Sequence, residues 1–171
     1  SRLGGTMRTI ATAKFKTKIK ELADYFEYQL EKLGVDIHLN TEVTGNEEFL
    51  DKADVIFVGT GTVPVTPNIP GIDNSIVIDI MAAHSDESLV KGDNIVICGG
   101  GLSGCDAALE FASEKGKKVT VVEMMDECAK DAMFINKISL FNQLAENKVT
   151  LMTNTKVISI DDQGVHVETK D

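Results

Sequence analysis

The sequence predicts an α/β fold. A doubly wound parallel sheet forms one lobe, an incomplete α/β lobe precedes it, and a β-hairpin lies at the C-terminal end. Three observations carry this. Residues 94–123 read as apolar run, glycine-rich turn, amphipathic helix and second apolar run. Residues 134–152 repeat the order of helix, then apolar run. Residues 155–168 alternate with period two about Asp161-Asp162-Gln163-Gly164, the pattern of a hairpin. Strands that alternate with helices of this length imply a parallel sheet with crossover helices.

Taken in order, residues 1–13 contain Leu3-Gly4-Gly5, show no period and read as loop. Residues 14–33 predict a helix, with Ile19, Leu22, Ala23, Phe26, Leu30 and Leu33 on one stripe and Gly34 as C-cap. Residues 35–39 (VDIHL) predict a short strand, 46–52 a short helix, and 54–58 (DVIFV) a buried strand ending at Gly59-Thr60-Gly61. Pro64, Pro67 and Pro70, followed by Gly71, mark an extended linker. Residues 75–80 predict a strand and 81–89 a short helix. This places a partial lobe at 1–92 and a second at 93–171.

The second lobe opens on Ile95-Val96-Ile97-Cys98, a β-branched run suited to a buried parallel strand. Gly99-x-Gly101-x-x-Gly104 follows, then a helix with Leu102, Cys105, Leu109 and Ala112 at steps of three and four. Gly116 closes that helix, residues 118–122 (KVTVV) form the next strand, and Glu123 follows directly, nineteen positions after Gly104. Each part has a mechanical role. Gly99 allows the tight turn, Gly101 lets a diphosphate approach the backbone, and Gly104 lets helix and strand pack closely. The amides of Leu102 and Ser103, at the positive end of the helix dipole, face the phosphates. Glu123 accepts the hydroxyls of an adenosine ribose. A strand before, a helix after and an acid at this distance make a Rossmann-like dinucleotide site. The carboxylate repels a 2′-phosphate, and Met124, Met125 and Asp126 follow it rather than Arg, so the expected coenzyme is NAD(H) and not its phosphorylated form. Residues 134–146 predict the next helix, with Phe134, Ile138, Phe141, Leu144 and Ala145 inward, and 149–152 a third parallel strand.

The 171 residues are 43 % apolar with mean hydropathy near zero, enough for one ordinary domain or two small lobes. Net charge is −10, divided evenly between 1–92 and 93–171, so neither nucleic acid nor an anionic membrane is an expected partner. No apolar run approaches the ~20 residues of a membrane span, and no secretory leader is expected. The three cysteines show no CxxC pair and no metal-ligand spacing, which suits a reducing, cytoplasmic setting. His38, His84 and His166 are scattered, and no metal site is expected. Both ends read as cut from a longer polypeptide.

The residues resemble the pyridine-nucleotide flavoprotein reductases, in which an NAD domain is inserted into an FAD domain. Arg2-Leu3-Gly4-Gly5 resembles the segment after that family's FAD-ribose acid. Val58-Gly59-Thr60-Gly61 with Ile69-Pro70-Gly71 resembles its crossover, Gly59 standing for the usual Ala. Residues 15–43, 99–108, 122–126, 134–137 and 153–157 are more similar to a subfamily, the NADH:flavin oxidoreductases of the 2,4-dienoyl-CoA reductase and 2-enoate reductase type. The resemblance implies that NADH passes hydride to FAD for eventual reduction of an enoate or enoyl-CoA C=C bond. It also implies FMN in an N-terminal barrel and a [4Fe-4S] cluster after it, both outside this chain, as is the FAD glycine motif. By the same resemblance Gly4, Gly5, Val43, Thr60 and Gly61 lie along FAD in the intact protein. The isolated piece is expected to bind NAD, to hold FAD weakly or not at all, and to be inactive alone. An exposed apolar seam is expected in the first lobe.

Cys98 and Cys105 are expected to pack in the core, and Cys128 to lie in a loop near Glu123. No catalytic acid or base is assigned, since hydride transfer depends on positioning the nicotinamide over a flavin. Two rivals stand beside this reading. One is an amine dehydrogenase of the trimethylamine dehydrogenase type, whose nucleotide lobe need not serve NAD. The other is a non-catalytic protein-contact module, which an occluded glycine turn would favour.

Overall fold

The computed structural model describes residues 2–170, in two compact units, 1–65 and 66–171. The first unit carries helices α1 (Gly5–Ile10), α2 (Thr17–Lys32) and α3 (Glu48–Asp51), with a short 3₁₀ turn, Lys14–Lys16, leading into α2. Gly4 caps α1 in a left-handed conformation (φ 109°), so part of the segment read as loop is helical. Arg8 reaches from α1 to Asp24 (2.6 Å) and Glu27 (3.1 Å) on α2, and Arg2 bonds the same two acids. The guanidinium of Arg2 holds the Glu27 carboxyl below its ordinary range, and that of Arg8 does the same for Asp24.

Two strands expected in this unit do not form. Residues 35–39 and 54–58 join no sheet: Leu39 lies in a turn, Asp54 in a bend, and the rest carries no regular structure. A strand exists through its neighbour's hydrogen bonds, and no described segment supplies them. The apolar seam is accordingly exposed: Phe57 at 93 % and Val65 at 90 %. The α2 stripe is also largely uncovered, with only Ala23 buried.

The second unit is built on a parallel sheet in the order β1 (Asn94–Cys98), β2 (Lys118–Val122), β3 (Thr150–Met152). Helices α5 (Leu102–Ser113) and α6 (Phe134–Glu146) form the two crossovers. This is the expected β-α-β-α-β order. The core joins Cys105, Ala108, Leu109 and Phe111 of α5 to Val119 and Val121 of β2 and Leu140 and Leu144 of α6. Gly116 (φ 62°) ends the first crossover, and Lys117 donates its N–H back to Phe111 O at 3.0 Å.

Three expectations are corrected here. Residues 75–80 are not a strand. Val77 N–H bonds Asn74 O at 2.9 Å, closing a turn, and the Asp79 carboxylate caps α4 (Ile80–Ser85) through the amides of Met81 and Ala82. On α6 the buried residues are Leu140 and Leu144, while Phe134 and Ile138 are exposed. Leu144 and Phe141 face the core as the spacing predicts, but Ala145 is exposed with Phe134 and Ile138, because α6 carries apolar residues on more than one face. Cys98 is exposed, because β1 is an edge strand of this sheet.

The hairpin is β4 (Thr155–Asp161) with β5 (Gly164–Thr169), antiparallel, with an irregularity between Val157 and Ser159. Its start is tied to the end of β2, where Thr155 N–H donates to Glu123 O at 2.9 Å. The proline linker docks on it: Ile160 N–H donates to Pro70 O at 2.8 Å. Gly71 (φ 83°) is required there, because a Cβ would stand 1.8 Å from Ile160 O.

Candidate functional site: a glycine turn faced by one carboxylate

The turn between β1 and α5 lies wholly within the second unit. Gly99 leaves the strand at φ 115°, a conformation that favours glycine, and donates its N–H to Val122 O at 2.9 Å. Gly104 lies one helical turn later, where a Cβ would sit 2.0 Å from Gly99 O. Only glycine permits that contact between helix and strand. At Gly101 the opposite holds: a Cβ would meet nothing within 4 Å. Gly101, Leu102 and Ser103 are exposed, so the helix N-terminus faces open space. The N-cap is Gly101, with no side chain to accept the first amides. The groups that α5 leaves unsatisfied at its start are thus available to an anion.

Glu123 stands at the end of β2, beside this turn. Its Oε2 accepts from Gly100 N–H at 2.7 Å and its Oε1 from Met125 N–H at 2.8 Å. The carboxylate therefore points at the turn, as its spacing from Gly104 predicted. An ionised carboxylate offers about four acceptor sites, so two remain after these bonds. The sequence did not reveal this second task, holding the turn itself.

Two further residues escaped sequence reading. Gly100 falls at a variable position of the motif, yet it is buried, and a Cβ there would meet Cys128 Sγ at 2.6 Å and Glu123 Cβ at 2.9 Å. Cys128, expected in a loop near Glu123, is buried at 1 %. Its Sγ lies near that of Cys105, whose thiol donates to Gly100 O at 3.4 Å. Burial pushes the Cys105 thiol up to about 12, and burial with the nearby Glu123 charge raises Cys128. Both are neutral thiols at neutral pH. Their sequence separation gave no signal of the pairing.

The residues matched to FAD lie in the first unit. Gly4 and Gly5 start α1, and Val43, Thr60 and Gly61 lie in exposed, unpaired segments. They form no cradle among the described residues. One open concavity of that unit is lined instead by Arg2, Arg8, Lys14 and Lys20, among others. Among the described residues no cluster of His, Cys, Asp or Glu has the arrangement of a metal site, and no helix is long and apolar enough to cross a membrane.

A family model for pyridine nucleotide-disulphide oxidoreductases matches residues 18–171. The chain belongs to that family. Within it, the sequence is 33 % identical over 170 residues to an NADH oxidase of Thermoanaerobacter brockii, covering 95 % of this chain and 25 % of that one. It is 31 % identical to a bilirubin reductase of Mediterraneibacter gnavus, covering 97 % of this chain and 26 % of that protein. A solved 2-naphthoyl-CoA reductase in complex with 2-naphthoyl-CoA superposes with a TM-score of 0.82 at 32 % identity, over 99 % of this chain and 25 % of that one. The chain thus spans about a quarter of the length of these relatives. The family places it among oxidoreductase domains.

Proposed function

We propose that residues 93–171 are the NAD(H)-binding lobe of a flavin-dependent oxidoreductase, and that the whole protein passes hydride from NADH to FAD and reduces an enoate or enoyl-CoA C=C bond. The observation that carries the nucleotide reading is the pairing of an open glycine edge at Gly101 with a carboxylate at Glu123. The residues present suit the coenzyme. The amides of Gly101, Leu102 and Ser103 face its diphosphate, and the two free acceptor sites of Glu123 take the ribose hydroxyls. NADH supplies the hydride. This chain's residues bind and orient it, and no proton-transfer group is required of them.

The choice of substrate class is supported by the names of relatives. Cinnamate reductase of Clostridium sporogenes (29 % identical) and 2-naphthoyl-CoA reductase both carry names for reduction of a conjugated acid or its CoA ester. We assign Gly4, Gly5, Val43, Thr60 and Gly61 to the FAD contact of the complete polypeptide, and FMN and the [4Fe-4S] cluster to regions outside this chain. The partial FAD-binding lobe is assigned to 1–92 and the nucleotide lobe to 93–171. A cytoplasmic setting belongs to the same proposal.

The test is titration of the folded chain with NADH by fluorescence or calorimetry, beside Glu123→Ala. Saturable binding that falls at least about tenfold in the variant supports the reading, tenfold being the scale of one lost charge-assisted hydrogen bond. Binding by neither protein while both remain folded contradicts it, and supports the rival reading of a non-catalytic protein-contact module.

A further inference from the structure

We infer that Cys128 is a positioning residue for the coenzyme diphosphate: its sulfur is the floor on which the glycine turn rests. This rests on the NAD(H) reading and adds a residue that the glycine motif does not contain. Four observations converge on Gly100. It is buried, whereas Gly99, Gly101, Leu102 and Ser103 around it are exposed. Its N–H is taken by Glu123 Oε2 at 2.7 Å. Its carbonyl accepts from Ala129 N–H at 2.7 Å and from Cys105 Sγ at 3.4 Å. The space where its side chain would be is filled by Cys128 Sγ, 2.6 Å from the Cβ position. Gly100 is thus turned inward with both polar groups consumed by the protein. That orientation fixes the next peptide, whose Gly101 amide opens the row facing the ligand.

The segment that does this is itself well held. Met125 N–H bonds Glu123 Oε1 at 2.8 Å, and Met125 O accepts Asn154 N–H at 2.8 Å. Lys137 Nζ reaches Glu127 Oε1 at 2.8 Å. Ala129 takes φ 47°, which an L-residue adopts only where its surroundings over-determine it. The floor therefore does not yield easily. A larger side chain at 128 lifts Gly100 toward the coenzyme, and a smaller one leaves the turn unsupported.

The experiment compares wild type with Cys128→Ser, Cys128→Ala and Cys128→Leu. NADH and ADP-ribose are the diphosphate-bearing probes, and adenosine is the probe that engages Glu123 alone. Cys128→Ser keeps the volume and binds all three within about twofold of wild type. Cys128→Leu weakens NADH and ADP-ribose about tenfold, the scale of one displaced charge-assisted hydrogen bond, and leaves adenosine nearly unchanged. Should the leucine variant not fold, Cys128→Ala carries the test. Its amides at 100–103 then exchange faster without nucleotide, and its NADH affinity falls about threefold, in the range of an ordinary hydrogen bond. The inference is overturned if wild type binds NADH and the folded variants bind it equally, or if adenosine weakens in step with NADH. If wild type itself does not bind NADH, the NAD(H) reading falls first and this inference with it.

Discussion

Glu123 Oε2 accepts the Gly100 amide proton at 2.7 Å, so the acid at the end of β2 is tied to the glycine turn before any ligand arrives. The same carboxylate holds Met125 N–H at 2.8 Å. It is therefore a structural brace, a role separate from the ribose contact proposed for it. Glu123→Ala orphans a buried amide at Gly100 and is expected to lose roughly 1–3 kcal/mol of stability, the cost of an unsatisfied buried donor. Urea unfolding measures this. Glu123→Gln retains one acceptor oxygen and is expected to fall between wild type and alanine.

Gly104 and Gly101 separate fold from function. A Cβ at 104 would be 2.0 Å from Gly99 O, so Gly104→Ala is expected to destabilise the second unit by roughly 2–3 kcal/mol, as overpacking does. A Cβ at 101 meets nothing within 4 Å. Gly101→Ala is expected to unfold at nearly the wild-type urea concentration yet bind NADH more weakly, because the methyl occupies the approach of the diphosphate. Equal stability loss in both variants would deny the difference.

Gly71 anchors the proline linker to the hairpin. It has φ 83°, and a Cβ would stand 1.8 Å from Ile160 O. Gly71→Ala is expected to break the Ile160–Pro70 hydrogen bond and to cost roughly 1–3 kcal/mol. Faster amide exchange at Ile160, with β1–β3 still protected, is the expected signature.

The first unit should loosen in acid. Glu47 is held at about 2, against an ordinary 4.5, chiefly by Thr44 N–H at 2.6 Å, with Thr44 Oγ1 at 2.8 Å and Gly45 N–H at 2.9 Å. A depressed carboxyl stabilises the fold above its unfolded value and loses that contribution as pH falls through the folded one. The turn at 44–47 is therefore expected to persist above pH 4.5 and to open between about pH 4.5 and 2. The Thr44 amide resonance, followed against pH, reports it. Glu47→Gln is expected to remove the dependence.

How much was readable in the sequence followed from where each element finds its partners. The β1–α5–β2 unit was legible because its strands pair with each other across one helix, and Gly104 and Gly116 mark its contacts. Residues 54–58 have the same β-branched composition as β1, yet form no strand, because composition cannot supply a neighbour. Phe134 and Ile138 sit at helical spacing but on the exposed face, since α6 is apolar on more than one side. Gly100 and Cys128 were invisible for another reason. Their contact joins a turn to a loop beyond the next strand, and neither residue type announces it.

The most direct test of the central claim is a backbone amide NMR titration of this chain with NADH. The account predicts saturable shifts concentrated at Gly101, Leu102 and Ser103 and at Glu123, with the hairpin and the first unit unmoved. Shifts absent from that turn, or confined to the first unit, in a folded sample would contradict it.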